Sequence, residues 1–272
     1  MAVSDPLDVC APLQESAIKA GLMTRRIGVA IHLFQEVEST NDEAATLAGR
    51  GESEGTMVIA ERQQRGRGRL GRRWESPMGL GLYLSVILRP PIPPQDATML
   101  TLLGAVAGAE AIERTTGLTI ALKWPNDLIL HGRKVGGILG EMAAEDARLL
   151  YVILGIGINV NQTETDFPGE LRQIATSLRV EADHPIDRAA MVRSFCESLD
   201  EWYERFLSAG SQPVLEQVRH RCLTVGRMVA ARSGDEEMSG FAVELDDRGR
   251  LVIRDAMGVL HHLVAGDVTL VG

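Results

Sequence analysis

Residues 62–74 read RQQRGRGRLGRRW: six arginines and three glycines in a chain whose formal net charge is −9. That mixture excludes a half-buried helix or strand, because glycine costs entropy in either and adjacent charges offer no apolar face. The stretch is therefore a loop or a strand-to-loop transition. Two apolar, strand-like runs flank it, TMVIA at 56–60 and LGLYLSVIL at 80–88, so it joins buried strands and is not a tail. A solvated basic run or a nucleic-acid patch is the ordinary reading of such charge. The alternative is anion binding: Arg matches planar, bidentate acceptors, and glycine lets backbone amides approach a ligand. Its place between two strands favours the second.

With 272 residues, 45% of them hydrophobic, the chain can bury a core in one large domain or two unequal ones. The acidic balance disfavours non-specific DNA or RNA binding, which needs a broad basic surface. Cys10, Cys196 and Cys222 are odd in number and not in metal-ligand spacing, as expected of reduced thiols in a cytosol. The first ten residues are acidic and form no signal peptide, and no apolar run reaches the ~20 residues that span a bilayer. A soluble, cytoplasmic protein is expected. Of 28 basic residues only Lys19, Lys123 and Lys134 are Lys. A chain drifting this far towards Arg keeps Lys where a compact ammonium does what a guanidinium cannot, which singles out Lys123 and Lys134.

Along the chain, residues 14–23 are expected as one short helix and 27–37, which alternate apolar and polar, as a strand. Ser39-Thr40-Asn41 precede a helix to about Gly49, with Thr40 and Glu43 in capping-box spacing. Those three residues are either a plain N-cap or a hydrogen-bonding pocket for a polar ligand. Residues 97–116 form a small-residue helix suited to close packing on a sheet. Strand 119–123 leads through a Trp-Pro-Asn-Asp turn to 128–130, a His131-Gly132 hairpin turn and strand 134–142. Strand 149–161 carries Gly155 and Gly157, and glycine inside a strand marks a bulge or a closely approached backbone. Helix 188–207 presents Met191, Phe195, Leu199, Trp202 and Phe206 as a core stripe, and 213–222 is a further helix. From about Leu223 short strands at 227–231, 241–245, 251–254, 258–263 and 267–271 alternate with Gly/Asp turns, the pattern of a small all-β barrel. His261 and His262 in it are ordinary residues, since paired His without Cys or carboxylate spacing are weak evidence for metal.

Chemistry converges on three stretches. Arg67, Arg69 and Arg72 supply bidentate donors, Lys123 ends a strand before the carboxylate of Asp127, and Gly155, Gly157 and Asn159 offer bare backbone plus an amide. A nucleoside triphosphate with Mg²⁺ suits this set. It is neither a P-loop, since no GxxxxGK[ST] occurs, nor a Rossmann site, since no helix follows the loop glycines.

GRGRLGRRW at 66–74, KWPND at 123–127, GRKVGGIL at 132–139 and GIGINVN at 155–161 resemble the successive motifs of biotin protein ligases, with Ser39-Thr40-Asn41 and Gln63 in order ahead of them. The resemblance is dense over about 35–161 and looser towards the C-terminal barrel that the family also carries. It implies an α+β fold: a mixed, largely antiparallel sheet flanked by helices, like a class II synthetase, followed by the small β-barrel. The expected division is an N-terminal extension over 1–26, a catalytic domain over 27–222 and the barrel over 223–272.

The resemblance implies a two-step reaction with ATP and biotin as substrates and Mg²⁺ accompanying ATP. Biotin carboxylate attacks the α-phosphate to give biotinyl-5′-adenylate, and a lysine of a biotin carboxyl carrier domain of acetyl-CoA carboxylase or a related carboxylase then attacks the anhydride. Carried over by motif, Ser39, Thr40, Asn41, Gln63 and the backbone around Arg67-Gly68-Arg69 bind the biotin head group. Lys123 bridges the biotin carboxylate and the α-phosphate, where charge builds. Arg67 and Arg69 cover the adenylate and exclude water, and make with Lys123 the expected catalytic set. Arg72, Asn126, Lys134 and Asn159 face the nucleotide. Trp74 either joins them or is a packing anchor, and Asp127 is the candidate Mg²⁺ contact. Bifunctional relatives carry a DNA-binding domain ahead of this unit. With about 35 residues before the Ser-Thr-Asn site no DNA partner is expected, and the enzyme is a monomer or a homodimer. A lipoate or octanoate ligase or transferase of the same fold, and a non-catalytic biotin- or nucleotide-sensing regulator, are the alternatives. Arg65 stands where relatives carry a small residue.

Overall fold

The apolar runs pair into one seven-stranded sheet in the order β1-β2-β3-β7-β6-β5-β4. Its strands are β1 (Ile31–Val37), β2 (Met57–Gln63), β3 (Gly81–Leu88), β4 (Ala121–Lys123), β5 (Asp127–Leu130), β6 (Arg133–Glu145) and β7 (Arg148–Asn159). This computed structural model describes residues 11–233 and 236–271. Cys10, and with it the start of the expected 1–26 extension, lies outside them. β1 and β2 run parallel and every other neighbouring pair antiparallel.

Helices cover both faces, as the fully buried β3 requires. α1 (Glu15–Lys19) is short, and α2 (Thr40–Gly49) carries the parallel β1–β2 crossover. Ala44 and Ala48 of α2 pack on Val58, Ile87 and Ile153 on one face. On the other lie α3 (Thr98–Thr116), α5 (Arg188–Ala209) and α6 (Gln212–Arg221), with the small helix α4 (Leu178–Ala182) preceding α5. Close packing explains the glycines of α3: a β-carbon at Gly104 would stand 2.9 Å from Leu154 and 3.1 Å from Ile138. The α5 stripe of Met191, Phe195, Leu199, Trp202 and Phe206 is buried as its spacing predicts, and Asp187 caps the helix by accepting from the Ala189 and Ala190 amides.

Two local expectations change. The strand expected from 27 begins at Ile31, because the amides of Arg25, Arg26 and Ile27 donate to the Asp200 carboxylate at 2.9–3.0 Å instead of to a ladder. The Thr40–Glu43 capping box does not form. Ser39 is the N-cap, without a side-chain capping bond, and the Thr40 hydroxyl is taken by Gln63 and Ser85.

The C-terminal strands β8 (Met228–Ser233), β9 (Glu236–Leu245), β10 (Leu251–Arg254), β11 (Leu260–Leu263) and β12 (Asp267–Leu270) form an antiparallel five-stranded sheet, β11-β10-β9-β8-β12. Among the described residues these five strands make the small all-β unit expected from about Leu223 onward. His261 and His262 pair with Asp255 and Asp246, and among the described residues no three His, Cys, Asp or Glu converge as a metal site. The sheet is fastened to the end of β4. The Trp124 indole donates to the Gly249 carbonyl at 2.9 Å, the Trp124 amide to the Thr224 hydroxyl at 3.0 Å, and the Leu223 amide to the Leu122 carbonyl at 2.8 Å. That attachment brings β12 to the arginine loop.

Candidate active site

All the motif segments meet around one cavity of about 650 Å³. Its geometry begins with β7. Side chains at i and i+2 of a strand share a face, and Gly155 and Gly157 leave that face bare. A β-carbon at Gly155 would stand 2.2 Å from the Asn41 Oδ1. One at Gly157 would stand 2.6–2.9 Å from the Trp74 indole. The two glycines thus seat one polar and one aromatic side chain on the sheet.

Around Asn41 runs a continuous hydrogen-bonded chain. Asn41 Nδ2 donates to Glu141 at 2.5 Å, and Ser85 Oγ lies 2.6 Å from Asn41 Oδ1 and 2.8 Å from Thr40 Oγ1. The Thr40 amide and hydroxyl donate to Gln63 Oε1 at 2.9 and 3.1 Å, and Gln63 Nε2 donates to Ser76 Oγ at 3.1 Å. Ser39, Thr40 and Asn41 are buried. These are fixed dipoles at the start of a helix, the arrangement that receives a polar, uncharged head group.

The arginine loop is a hairpin over this wall. The Trp74 amide donates to the Gly66 carbonyl at 2.9 Å and the Gly68 amide to the Arg72 carbonyl at 2.7 Å. A short 3₁₀ turn, Arg69–Gly71, forms its tip, with Leu70 and Gly71 at φ +55° and +73°. Gly66 is obligatory, since a β-carbon there would stand 2.5 Å from the Trp74 carbonyl and 2.8 Å from Ser76 Oγ. Arg67 is forked between Asp42 at 2.6 and 2.7 Å and Glu141 at 3.0 and 3.2 Å. Burial lowers its pKa, but those two carboxylates outweigh it and the net shift is upward. Arg69 is more enclosed. Its Nη1 donates to the Gly266 carbonyl at 3.1 Å and lies 3.5 Å from Asn126 Oδ1, and desolvation lowers its pKa against the pull of Asp127 and Asp267. A guanidinium so short of partners has donors left for an anionic ligand. Arg72 pairs with Asp267. Arg65, exposed, pairs with Glu38 at 3.1 Å on the outer surface, away from the cavity lining.

On the opposite wall Lys123 and Asp127 face each other in the β4–β5 register, and Asn126 is stitched to β6 through the Ile138 amide and carbonyl at 3.0 and 2.8 Å. Lys134 Nζ lies 2.5 Å from Asp127 Oδ1 and 5.5 Å from the centroid of the Trp74 ring, a cation held by a carboxylate and a π-face. Asn159 is buried, its Nδ2 donating to the Thr176 carbonyl at 3.0 Å and its Oδ1 accepting from Gln162 at 3.3 Å.

Every sequence-derived candidate (Ser39, Thr40, Asn41, Gln63, Arg67, Gly68, Arg69, Arg72, Trp74, Lys123, Asn126, Asp127, Lys134 and Asn159) lines the cavity. Sequence reasoning missed Ser85, Ser76, Asp42 and Glu141, which hold those groups in place, and two further walls at 166–175 and 266–270. Ser85 had a signal, as the one polar residue of an apolar strand. Glu141 had none.

The chain is similar to known proteins over most of its length. A family model described as the biotin/lipoate A/B protein ligase family matches residues 33–159, and one described as the biotin protein ligase C terminal domain matches 224–271. The chain is 40% identical over 247 residues to the bifunctional ligase/repressor BirA of Bacillus subtilis, covering 91% of this chain and 76% of the relative. It is 33% identical to the biotin–[acetyl-CoA-carboxylase] ligase of Mycobacterium tuberculosis, covering 97% and 95%. The biotin protein ligase of Aquifex aeolicus, solved with biotin and ATP, superposes with a TM-score of 0.76 at 31% identity, covering 89% of this chain and 98% of that one.

Proposed function

The chain belongs to the biotin protein ligase family, and from that premise we propose how its cavity carries out the reaction. The protein is an ATP-dependent ligase that activates biotin and transfers it to a carboxylase. What carries the residue assignment is the convergence of four separate motif segments on one cavity, lined both by the uncharged Asn41, Thr40 and Gln63 and by the cationic Arg69, Lys123 and Lys134.

In the first step a biotin carboxylate oxygen forms a bond to the α-phosphorus of ATP. The bond from that phosphorus to the bridging oxygen breaks, and pyrophosphate leaves. The Asn41–Ser85–Thr40–Gln63 chain binds the biotin head group, because its donors and acceptors are already oriented and pay no reorganisation cost on binding. Negative charge then accumulates between carboxylate and phosphate, where Lys123 and Lys134 supply ammonium groups and Arg69 free guanidinium donors. Lys134 is the more firmly placed lysine, held by Asp127 and Trp74, and shares with Lys123 the role expected of Lys123 alone. Arg72, Asn126 and Asn159 contribute to the nucleotide side. Asp127, whose Oδ1 also carries Lys134, would be the carboxylate to hold a magnesium ion brought in with ATP; that ion takes one or two carboxylates plus substrate phosphates and would supply charge neutralisation there. In the second step the amine of a carrier lysine forms a bond to the acyl carbon, the acyl–phosphate C–O bond breaks, AMP leaves, and the amine loses a proton to solvent.

Biotin-dependent exchange of labelled pyrophosphate into ATP tests this reading. Exchange with biotin and none with lipoate is expected. Exchange with lipoate alone, or none with folded protein, overturns it.

A further inference from the structure

The arginine loop is fastened in two halves by two different parts of the molecule. Its root half is tied within the large sheet, where Arg67 reaches Asp42 on α2 and Glu141 on β6. Its far half, the tip from Arg69 to Arg72, reaches the second sheet: Arg69 donates to the Gly266 carbonyl at 3.1 Å and Arg72 pairs with Asp267, the first residue of β12. Beyond the hairpin's own bonds, the Asn126 contact at 3.5 Å is the other tie of that half among the described residues. Gly266–Leu270 line the same cavity, so the second sheet both walls the site and grips its cover.

We propose that Asp267 is a positioning residue of the ligase reaction, holding the loop through Arg72 over the acyl-adenylate so that the intermediate is kept from water until a carrier lysine arrives. This rests on the ligase reading above. The reaction restrained is hydrolysis: water oxygen bonds to the acyl carbon, the C–O bond to phosphate breaks, and biotin and AMP form with loss of protons. The pair is solvent-exposed, with side-chain exposures of 63% and 36%, so its contribution is small and salt-screened. Pairs of this kind shift an open–closed ratio by roughly twofold to fivefold. That range suits a cover that must also open for the carrier.

The test uses the full chain with biotin and ATP and no acceptor. A pyrophosphate burst counts adenylate formed, and the slower AMP release that follows measures escape. For Asp267→Asn a burst with escape raised about twofold to fivefold is expected, and Asp267→Glu, which keeps the charge, should return to the parent value. Escape should rise with salt more steeply in the parent protein than in Asp267→Asn, since the Arg67 pairs at the root are screened alike in both. Unchanged escape in Asp267→Asn, or a leak in Asp267→Glu as large as in Asp267→Asn, overturns the inference. Loss of the burst in Asp267→Asn also overturns it, because Asp267 would then act in adenylation itself. A parent protein with no burst removes the ligase reading, and this inference with it.

Discussion

Replacing Gly155 by Ala adds one methyl group at the point where the sheet meets Asn41. The new carbon would lie 2.2 Å from Asn41 Oδ1, 2.9 Å from its Cγ and 3.0 Å from its Nδ2, whereas relaxed contacts to carbon begin near 3.5 Å. The whole amide must therefore move away by more than about 1 Å. β7 cannot yield instead, because it is hydrogen-bonded on both sides, Ser85 and Leu139 being the register partners of Gly155. Moving the amide breaks its bonds to Ser85 at 2.6 Å and Glu141 at 2.5 Å. A neutral hydrogen bond is worth about 1 kcal/mol and one to a charged group about 1.5–3 kcal/mol, the latter partly replaced here by water because Glu141 is only half-buried. The one or two hydrogen bonds that the displaced amide would give biotin go as well, roughly 1–3 kcal/mol of binding, about 5-fold to 150-fold in Kd. Rotating Asn41 out relieves the strain and leaves the sheet intact, so the variant folds, with a melt lowered by the two lost intraprotein bonds. Calorimetric titration of biotin beside a thermal melt checks this. A biotin Kd within about threefold of the parent value, in a protein that folds, would show that Asn41 is not a biotin contact or that β7 gives way.

Three other outcomes follow from the same geometry. Lys134→Ala and Lys123→Ala should each slow biotin-dependent pyrophosphate exchange by tenfold or more, as loss of about 1.4 kcal/mol or more of transition-state stabilisation requires, with the thermal melt unchanged; an unaltered rate in either removes that lysine from the reacting centre. Arg188→Ala should cost about 3–5 kcal/mol of stability in a denaturant titration. It strands Glu61, whose carboxylate accepts from Arg188 at 2.7 Å and from the Leu13 amide at 2.5 Å, both ion-pair side chains being about 5% exposed or less; a cost below about 1 kcal/mol would refute the assignment. Glu181 gives a pH signature. Burial alone raises its pKa, but the Thr176 hydroxyl, His131 and Arg133 outweigh it and hold the carboxyl below its ordinary value. A depressed folded pKa contributes stability that is present above the unfolded value near ~4.3 and lost as pH falls through the folded one. The melting-temperature gap between the parent and Glu181→Gln should therefore be open at neutral pH and close on acidification below that value; a gap independent of pH counts against the cluster.

Much of the site was legible before any coordinates. The Arg-Gly loop, the isolated lysines and the glycines of β7 are each unusual within a short window, and a residue type out of place in its window signals chemistry. Element positions were legible for the same reason, from α3 with its small-residue face to α5 with its aromatic stripe. Errors fell where a local pattern lost to a distant partner. Residues 27–30 alternate like a strand, yet Asp200 takes the amides of Arg25, Arg26 and Ile27. Thr40 and Glu43 have capping spacing, yet Gln63 and Ser85 take the hydroxyl.

By itself, then, the sequence determined the kind of chemistry and the segments that carry it, since motif composition and backbone propensity act over a few residues. Only the tertiary structure decided which charge meets which. Arg67 reaches Glu141, Arg188 reaches Glu61 and Arg72 reaches Asp267 across separations of 74, 127 and 195 residues. Those pairings follow from strand order and from where the second sheet is fastened to β4. A charged side chain has no sequence preference among equally charged partners, so the choice is made by whichever one the packed backbone brings within reach.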